Sequence, residues 1–208
     1  CRNCKTKISI QYPLVEVLTG LIFASLFLKF QNVFFVDISM FAVLYIYYAF
    51  MFSLLLVIAV YDLKHKIIPD MLSLIFGILS FVGLFFFTPE LKFSSGIFPH
   101  LPTLLELFSG TLVAFPFAFF WFISGGRWMG FGDAKLALGI GWLLGLSFAL
   151  SGLVLAFWFG AIIGIALVIL SRNSKGKRLR MKSEIPFAPF LVFGTFLAFI
   201  FELNLFGI

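Results

Sequence analysis

The sequence predicts an all-α, polytopic integral membrane helix bundle with about seven transmembrane helices. Three observations carry that prediction. The 208 residues are 62% hydrophobic and only 12% charged, where a soluble domain is roughly 45–50% apolar and about 25% charged. The apolar residues fall in blocks of roughly the 17–25 residues that cross a bilayer, which gives a mean hydropathy of +1.13. The basic residues between the blocks lie almost entirely on alternate connections, as cytoplasmic loops require.

The blocks run in order along the chain. The first is 14–30 (LVEVLTGLIFASLFLKF) and the second is 41–61. The third, 68–87, opens with Pro69, and proline is tolerated in a first helical turn because its missing N–H has no partner there. The fourth is 104–124. The fifth, 134–149, and the sixth, 152–171, are expected to join through a short turn at "LSG" (150–152), the alternative being one long helix. The seventh is 186–206. No internal repeat and no interdomain linker is evident.

Seven crossings place Arg2, Lys5, Lys7, Lys64, Lys66, Arg127, Lys135 and the run from Arg172 to Lys182 on one side, and only Lys29 and Lys92 on the other. The richer side is expected to be cytoplasmic, with the N-terminus inside and the C-terminus outside. The pI near 9.5 is therefore read as topology and anionic lipid contact. No nucleic-acid partner is expected, and nothing in the sequence indicates an oligomeric state. The chain opens on Cys1 of "CRNC" and not on methionine, so a fragment or processed form is expected. Its first twelve residues lack the continuous apolar run of a signal peptide.

Nine acidic residues remain to be placed: Glu16, Asp37, Asp62, Asp70, Glu90, Glu106, Asp133, Glu184 and Glu202. Solvation accounts for those at outer ends. Asp62, Asp70 and Asp133 instead fall where spans meet the inner face. Between Asp62 and Asp133 the chain goes out through the third span and back through the fourth, so both return to one depth and can be neighbours. Two carboxylates in one pocket cannot both ionise cheaply and share a proton. One can then deprotonate a water while the other protonates the carbonyl oxygen under attack. The helix dipole favours the anion on Asp133, at a helix start, and the proton on Asp62, at a helix end. Two other readings stay open: each aspartate neutralises Lys64, Lys66 or Lys135, or the acids bind a transported cation.

The glycines of "SGGRWMGFGD" (Gly125, Gly126, Gly130 and Gly132) allow close backbone approach or positive φ. A peptide substrate presenting its own backbone would need that room; a merely flexible loop would use the same residues.

Four stretches in order make the chain resemble the type IV prepilin peptidases, membrane aspartic peptidases of the G-x-G-D kind. They are "YPLVEVLTG" (12–20), "YDLKHKIIPD" (61–70), "GFGDAKL" (130–136) and "IPFAPFLVFG" (185–194). The resemblance implies Asp62 and Asp133 as the catalytic pair, with Asp70, Gly130, Gly132 and Lys135 supporting. It implies a prepilin or pseudopilin substrate, with a short basic leader ahead of an apolar helix, cut at the cytoplasmic face of a bacterial inner membrane. Proteolysis would need no cofactor. Many family members also methylate the new N-terminus with S-adenosylmethionine. The family commonly has two C-x-x-C pairs forming a structural zinc site; Cys1 and Cys4 match the second pair. Residues 1–13 would then be the remnant of that cytoplasmic segment and 14–208 the peptidase domain, with an eighth span in the full-length protein. Zinc wants four ligands, and His65 and His100 are poor completions, so the site is expected only in the longer protein. By analogy with the presenilin-like G-x-G-D peptidases, Pro186, Phe187 and Pro189 form a substrate-docking edge; the plain alternative is that the prolines only start the last helix.

Two readings from other classes remain as alternatives: a cation-coupled transporter using the interfacial aspartates, and a structural subunit of a secretion or pilus machine. Transporter sites usually sit near the midplane between inverted repeats, and here the acids gather at one face.

Overall fold

The computed structural model describes residues 11–87, 101–127, 129–173 and 186–207. Secondary structure among them is entirely helical: α1 (Gln11–Val36), α2 (Ile38–His65), α3 (Asp70–Gly83), α4 (Leu104–Ser124), α5 (Phe131–Asn173) and α6 (Ala188–Ile200). Four helices, α1, α2, α4 and α5, are long and apolar enough to cross a membrane. The expected third and seventh spans appear as shorter apolar helices, α3 with 14 residues and α6 with 13. The chain divides into two compact units, residues 1–56 and 57–208.

In the first unit, α1 buries Ile22, Leu26, Phe30 and Val33, a helical spacing that lines up one face. Aromatic rings join that helix to α2: Phe30 stacks on Tyr48 at 5.5 Å and Phe27 meets Phe41 edge-on at 5.8 Å. The junction between the helices is Asp37. Its Oδ1 accepts from the Ser39 hydroxyl at 2.6 Å, the Ser39 N–H at 2.8 Å and the Met40 N–H at 3.2 Å. These bonds satisfy orphan donors at the start of α2, as an N-cap aspartate does. They hold the Asp37 carboxyl below its ordinary value, the Ser39 hydroxyl contributing most.

The second unit holds the end of α2 with α3, α4, α5 and α6. Here small residues join rings at the helix contacts, as is usual where membrane helices pack closely. A Cβ on Gly141 of α5 would stand 2.6 Å from the Cα of Gly110 of α4, and one on Gly139 would stand 2.6 Å from the Phe76 ring of α3. Two cross-helix bonds fix the α4–α5 contact: Ser109 Oγ donates to the Gly141 carbonyl at 2.8 Å and Trp142 Nε1 to the Leu107 carbonyl at 3.0 Å. A capping box between Thr103 and Glu106 starts α4, and Gly125 (φ 59) ends it. Between α5 and α6, Gly152 faces Thr195, and Gly194 faces the Gly152 carbonyl and Ala156.

α5 is two helices in one. Trp121 of α4 meets Phe131 at the start of α5 (4.9 Å), and Gly110, three turns earlier on α4, meets Gly141, so the two helices run antiparallel. A straight α5 would carry its later residues past the beginning of α4. Instead Phe157 stacks on Phe117 at 6.4 Å, between those two contacts. The chain therefore doubles back, and it does so at Gly145, whose φ of 74° and ψ of 172° are non-helical. The expected turn at 150–152 is corrected by this: Ser151 and Gly152 are helical. Gly152 is needed for a different reason, since a Cβ there would fall 2.9 Å from the Cα of Thr195.

Candidate active site

Asp62 lies in the last turn of α2. Burial of Leu55 and Ile58, at three- and four-residue steps before it, continues to Asp62, which is only 5% exposed. The face that packs the core thus ends on a carboxylate. Asp133 is the third residue of α5 and 9% exposed. Its carboxylate accepts from the Gly130 N–H, and it lies close enough to Asp62 to feel that residue's charge. Both line one cavity of about 600 Å³, within the ~300–1,000 Å³ typical of ligand sites. Among the described residues neither aspartate has an ion-pair partner. The reading in which an aspartate neutralises a nearby lysine therefore fails for Asp62 and Asp133, and holds for Asp70, which pairs with Lys135. The helix positions are those expected: one acid at a helix end, the other at a helix start.

The remaining candidates mostly gather around the pair. Asp70, Gly130, Gly132, Lys135, Pro186 and Phe187 all line the cavity. Gly132 has a packing reason: a Cβ there would come 2.9 Å from the Ile68 Cβ, so only glycine lets the start of α5 close on the Ile67–Pro69 link. Gly130 is free of such crowding, its nearest neighbour being Asp133 Oδ2 at 3.8 Å, and its N–H serves that carboxylate. Gly125 and Gly126 take positive φ (59° and 79°) where α4 ends and the chain turns toward α5.

Asp70 and Lys135 find each other. Lys135 Nζ donates to Asp70 Oδ1 at 2.7 Å and also stands 5.2 Å from the centre of the Phe131 ring. The pair lies at the rim, with Asp70 77% and Lys135 38% exposed.

The proline element divides. Pro189 sits in the first turn of α6 and is not on the cavity wall, which is the plain helix-starting role. Phe187 is on the wall, its ring braced by Phe117 at 5.9 Å and Phe157 at 5.1 Å. The residue between them, Ala188, was missed. Its N–H, one of the orphan donors that open a helix, is given to the Asp62 carboxylate. A signal existed in the sequence, because Pro189 marks Ala188 as lying at a helix start. Lys66, Arg127 and Met129 also line the cavity and were not singled out for it.

Cys1, Cys4 and His100 lie outside the described residues. His65 is exposed, its ring 4.3 Å from that of Tyr61, and it does not line the cavity. Among the described residues no group of three or more His, Cys, Asp or Glu is placed to hold a metal ion.

Residues 49–165 match the type IV leader peptidase family, and residues 1–30 match the bacterial peptidase A24 N-terminal domain. The chain is 30% identical to a prepilin leader peptidase/N-methyltransferase of Bacillus subtilis, over 97% of its own length and 70% of that protein's. It is also similar to proteins of the same name from Aeromonas salmonicida (29% identity, 95% and 60%) and Legionella pneumophila (30%, 95% and 61%). The chain thus spans about 60% of the length of these last two. No solved structure matches.

Proposed function

This chain belongs to the type IV leader peptidase family, and on that footing we propose that it is an aspartic endopeptidase that removes the basic leader of a prepilin or pseudopilin. The observation that carries the proposal is the pair of buried carboxylates, Asp62 and Asp133, that share one cavity and, among the described residues, have no ion-pair partner. Such a pair holds one proton between its members. The ionised member takes a proton from a water as that water attacks the scissile carbonyl carbon, and the protonated member gives its proton to the carbonyl oxygen. In the collapse of the tetrahedral intermediate the carbon–nitrogen bond breaks, the carboxyl that gained the water's proton delivers it to the leaving amine, and the other carboxylate takes back a proton from a hydroxyl of the diol as the new carboxyl forms, which restores the shared proton. The Ala188 and Gly130 N–H groups hold the two carboxylates in place from their own helix starts, an arrangement that needs no reorganisation at the moment of reaction. Asp70, Gly132 and Lys135 support this wall of the cavity, and Pro186 and Phe187 form an edge against which substrate docks.

We read α3, α6 and both halves of α5 as one crossing each, seven in all, with the cavity at the cytoplasmic face and the N-terminus inside the cell; the support is Lys66, Arg127 and Lys135 on the cavity wall, since cytoplasmic connections are rich in Lys and Arg. The membrane is that of a bacterial cell, and lipid surrounds the exposed helix faces. The relatives' names include N-methyltransferase, and in the longer protein the same enzyme would methylate the released N-terminus from S-adenosylmethionine. Cys1 and Cys4 would supply half of a four-thiolate zinc site there. Among the described residues no group of three or more His, Cys, Asp or Glu is placed to hold the metal, and hydrolysis is routed through neither group.

The test mixes purified protein with a prepilin and follows the mobility shift of leader removal. Wild-type protein produces the shift, and the Asp62→Asn and Asp133→Asn proteins do not. Cleavage that survives in either variant would remove the paired-acid mechanism.

A further inference from the structure

The Asp70–Lys135 pair is built to be exchanged. A pair with a carboxylate this open to solvent adds little to stability, so it is a poor device for holding α3 to α5. Its surroundings suit another use. Of the three acids among the described residues of the cavity wall, Asp62 and Asp133 are buried, whereas Asp70 stands 77% exposed at the rim. Its partner Lys135 already has a second seat, the Phe131 ring at 5.2 Å, which favours a cation by the ring's own field. Lys135 can therefore give up the carboxylate without being stranded. Lys66 and Arg127, also on the wall, would repel an incoming cation, which leaves Asp70, among the described residues, as the rim group able to receive one.

Resting on the proposed function, we infer that Asp70 is a specificity residue: a basic side chain of the leader displaces Lys135 from Asp70 and sets the scissile bond over the buried acids, while Lys135 settles on Phe131. In this exchange the two members of the pair have opposite effects. Asp70 attracts the leader; Lys135 competes with it.

The experiment compares kcat/KM for a prepilin with its own basic leader and for one whose leader Lys and Arg are replaced by Gln. Wild-type protein prefers the basic leader by about fivefold, the size of one partly exposed charge pair, and the preference shrinks as salt is raised. In Asp70→Asn the ratio falls to near one. In Lys135→Gln it rises, through a lower KM for the basic leader, because the internal competitor is gone. A ratio unchanged by Asp70→Asn, or one that falls in both variants, overturns the exchange and leaves a structural pair. Wild-type protein that cuts both leaders equally overturns this inference alone; wild-type protein that cuts neither overturns the proposed function and this inference with it.

Discussion

The two units of this chain differ in how closely their helices approach. In residues 1–56 the contacts are rings, such as Phe30 on Tyr48 and Phe27 on Phe41, and the single glycine, Gly20, has nothing within 4 Å of where a Cβ would be. In residues 57–208, which hold the other 17 of the 18 glycines, helices touch backbone to backbone at Gly110–Gly141 and Gly152–Gly194. Rings can slide and re-tilt, whereas a backbone contact has one depth. On the proposed function the difference matters because Asp62, at the end of α2, and Asp133, at the start of α5, both fall in the second unit, and an aspartate pair would work only at one separation. Close packing would give that unit the rigidity the proposed chemistry requires.

The comparison can be sharpened first at the acids. Asp62→Asn and Asp133→Asn should each lower turnover by at least about a thousandfold with little change in thermal stability, measured as leader cleavage beside a melting curve. Gly132→Ala comes next. Its Cβ would meet the Ile68 Cβ at 2.9 Å and shift the turn that carries Asp133, so kcat should fall by up to about a hundredfold while the protein stays folded. Full activity in that variant would show that the approach of α5 to the Ile67–Pro69 link is not what sets the acid.

Gly194→Ala and Gly20→Ala test the packing contrast itself. The first drives a methyl into the Gly152 carbonyl and to 2.7 Å from the Ala156 N, and overpacking of that kind costs about 1–3 kcal/mol. The second meets open space and should be neutral or raise stability by up to about 1 kcal/mol, since alanine is the better helix former. Equal melting shifts in the two variants would erase the distinction between the units.

The smallest effect belongs to the first unit's cap. Hydrogen bonds from the Ser39 hydroxyl, then from the Met40 and Ser39 N–H groups, lower the titration of Asp37. Its folded value is below its unfolded one, so the stabilisation is complete above the unfolded value and is lost as pH falls through the folded value. Asp37→Ala should therefore melt slightly below wild type at neutral pH, leave cleavage untouched, and converge with wild type in strong acid. A gap that widened in acid would reverse that assignment.

Much of the site was legible because its signals are local. An aspartate at the end of an apolar run, another behind G-x-G, and a proline at a helix start can each be read from a few neighbouring residues. The fold-back of α5 was not legible at that level. Gly145 and Gly152 look alike in sequence, yet one supplies a positive φ and the other a flat face for Thr195. Only the partner helix distinguishes those uses.

The sequence by itself determined the helical class, the apolar blocks, and the return of Asp62 and Asp133 to one level, because hydropathy and the helical repeat act along the chain. Tertiary structure alone decided that Lys135 goes to Asp70 and not to Asp133, that the Ala188 N–H goes to Asp62, and that Pro189 stays off the cavity wall. Those outcomes depend on which helices approach and how closely. Glycine contacts fix that approach in space, between residues that the sequence holds far apart.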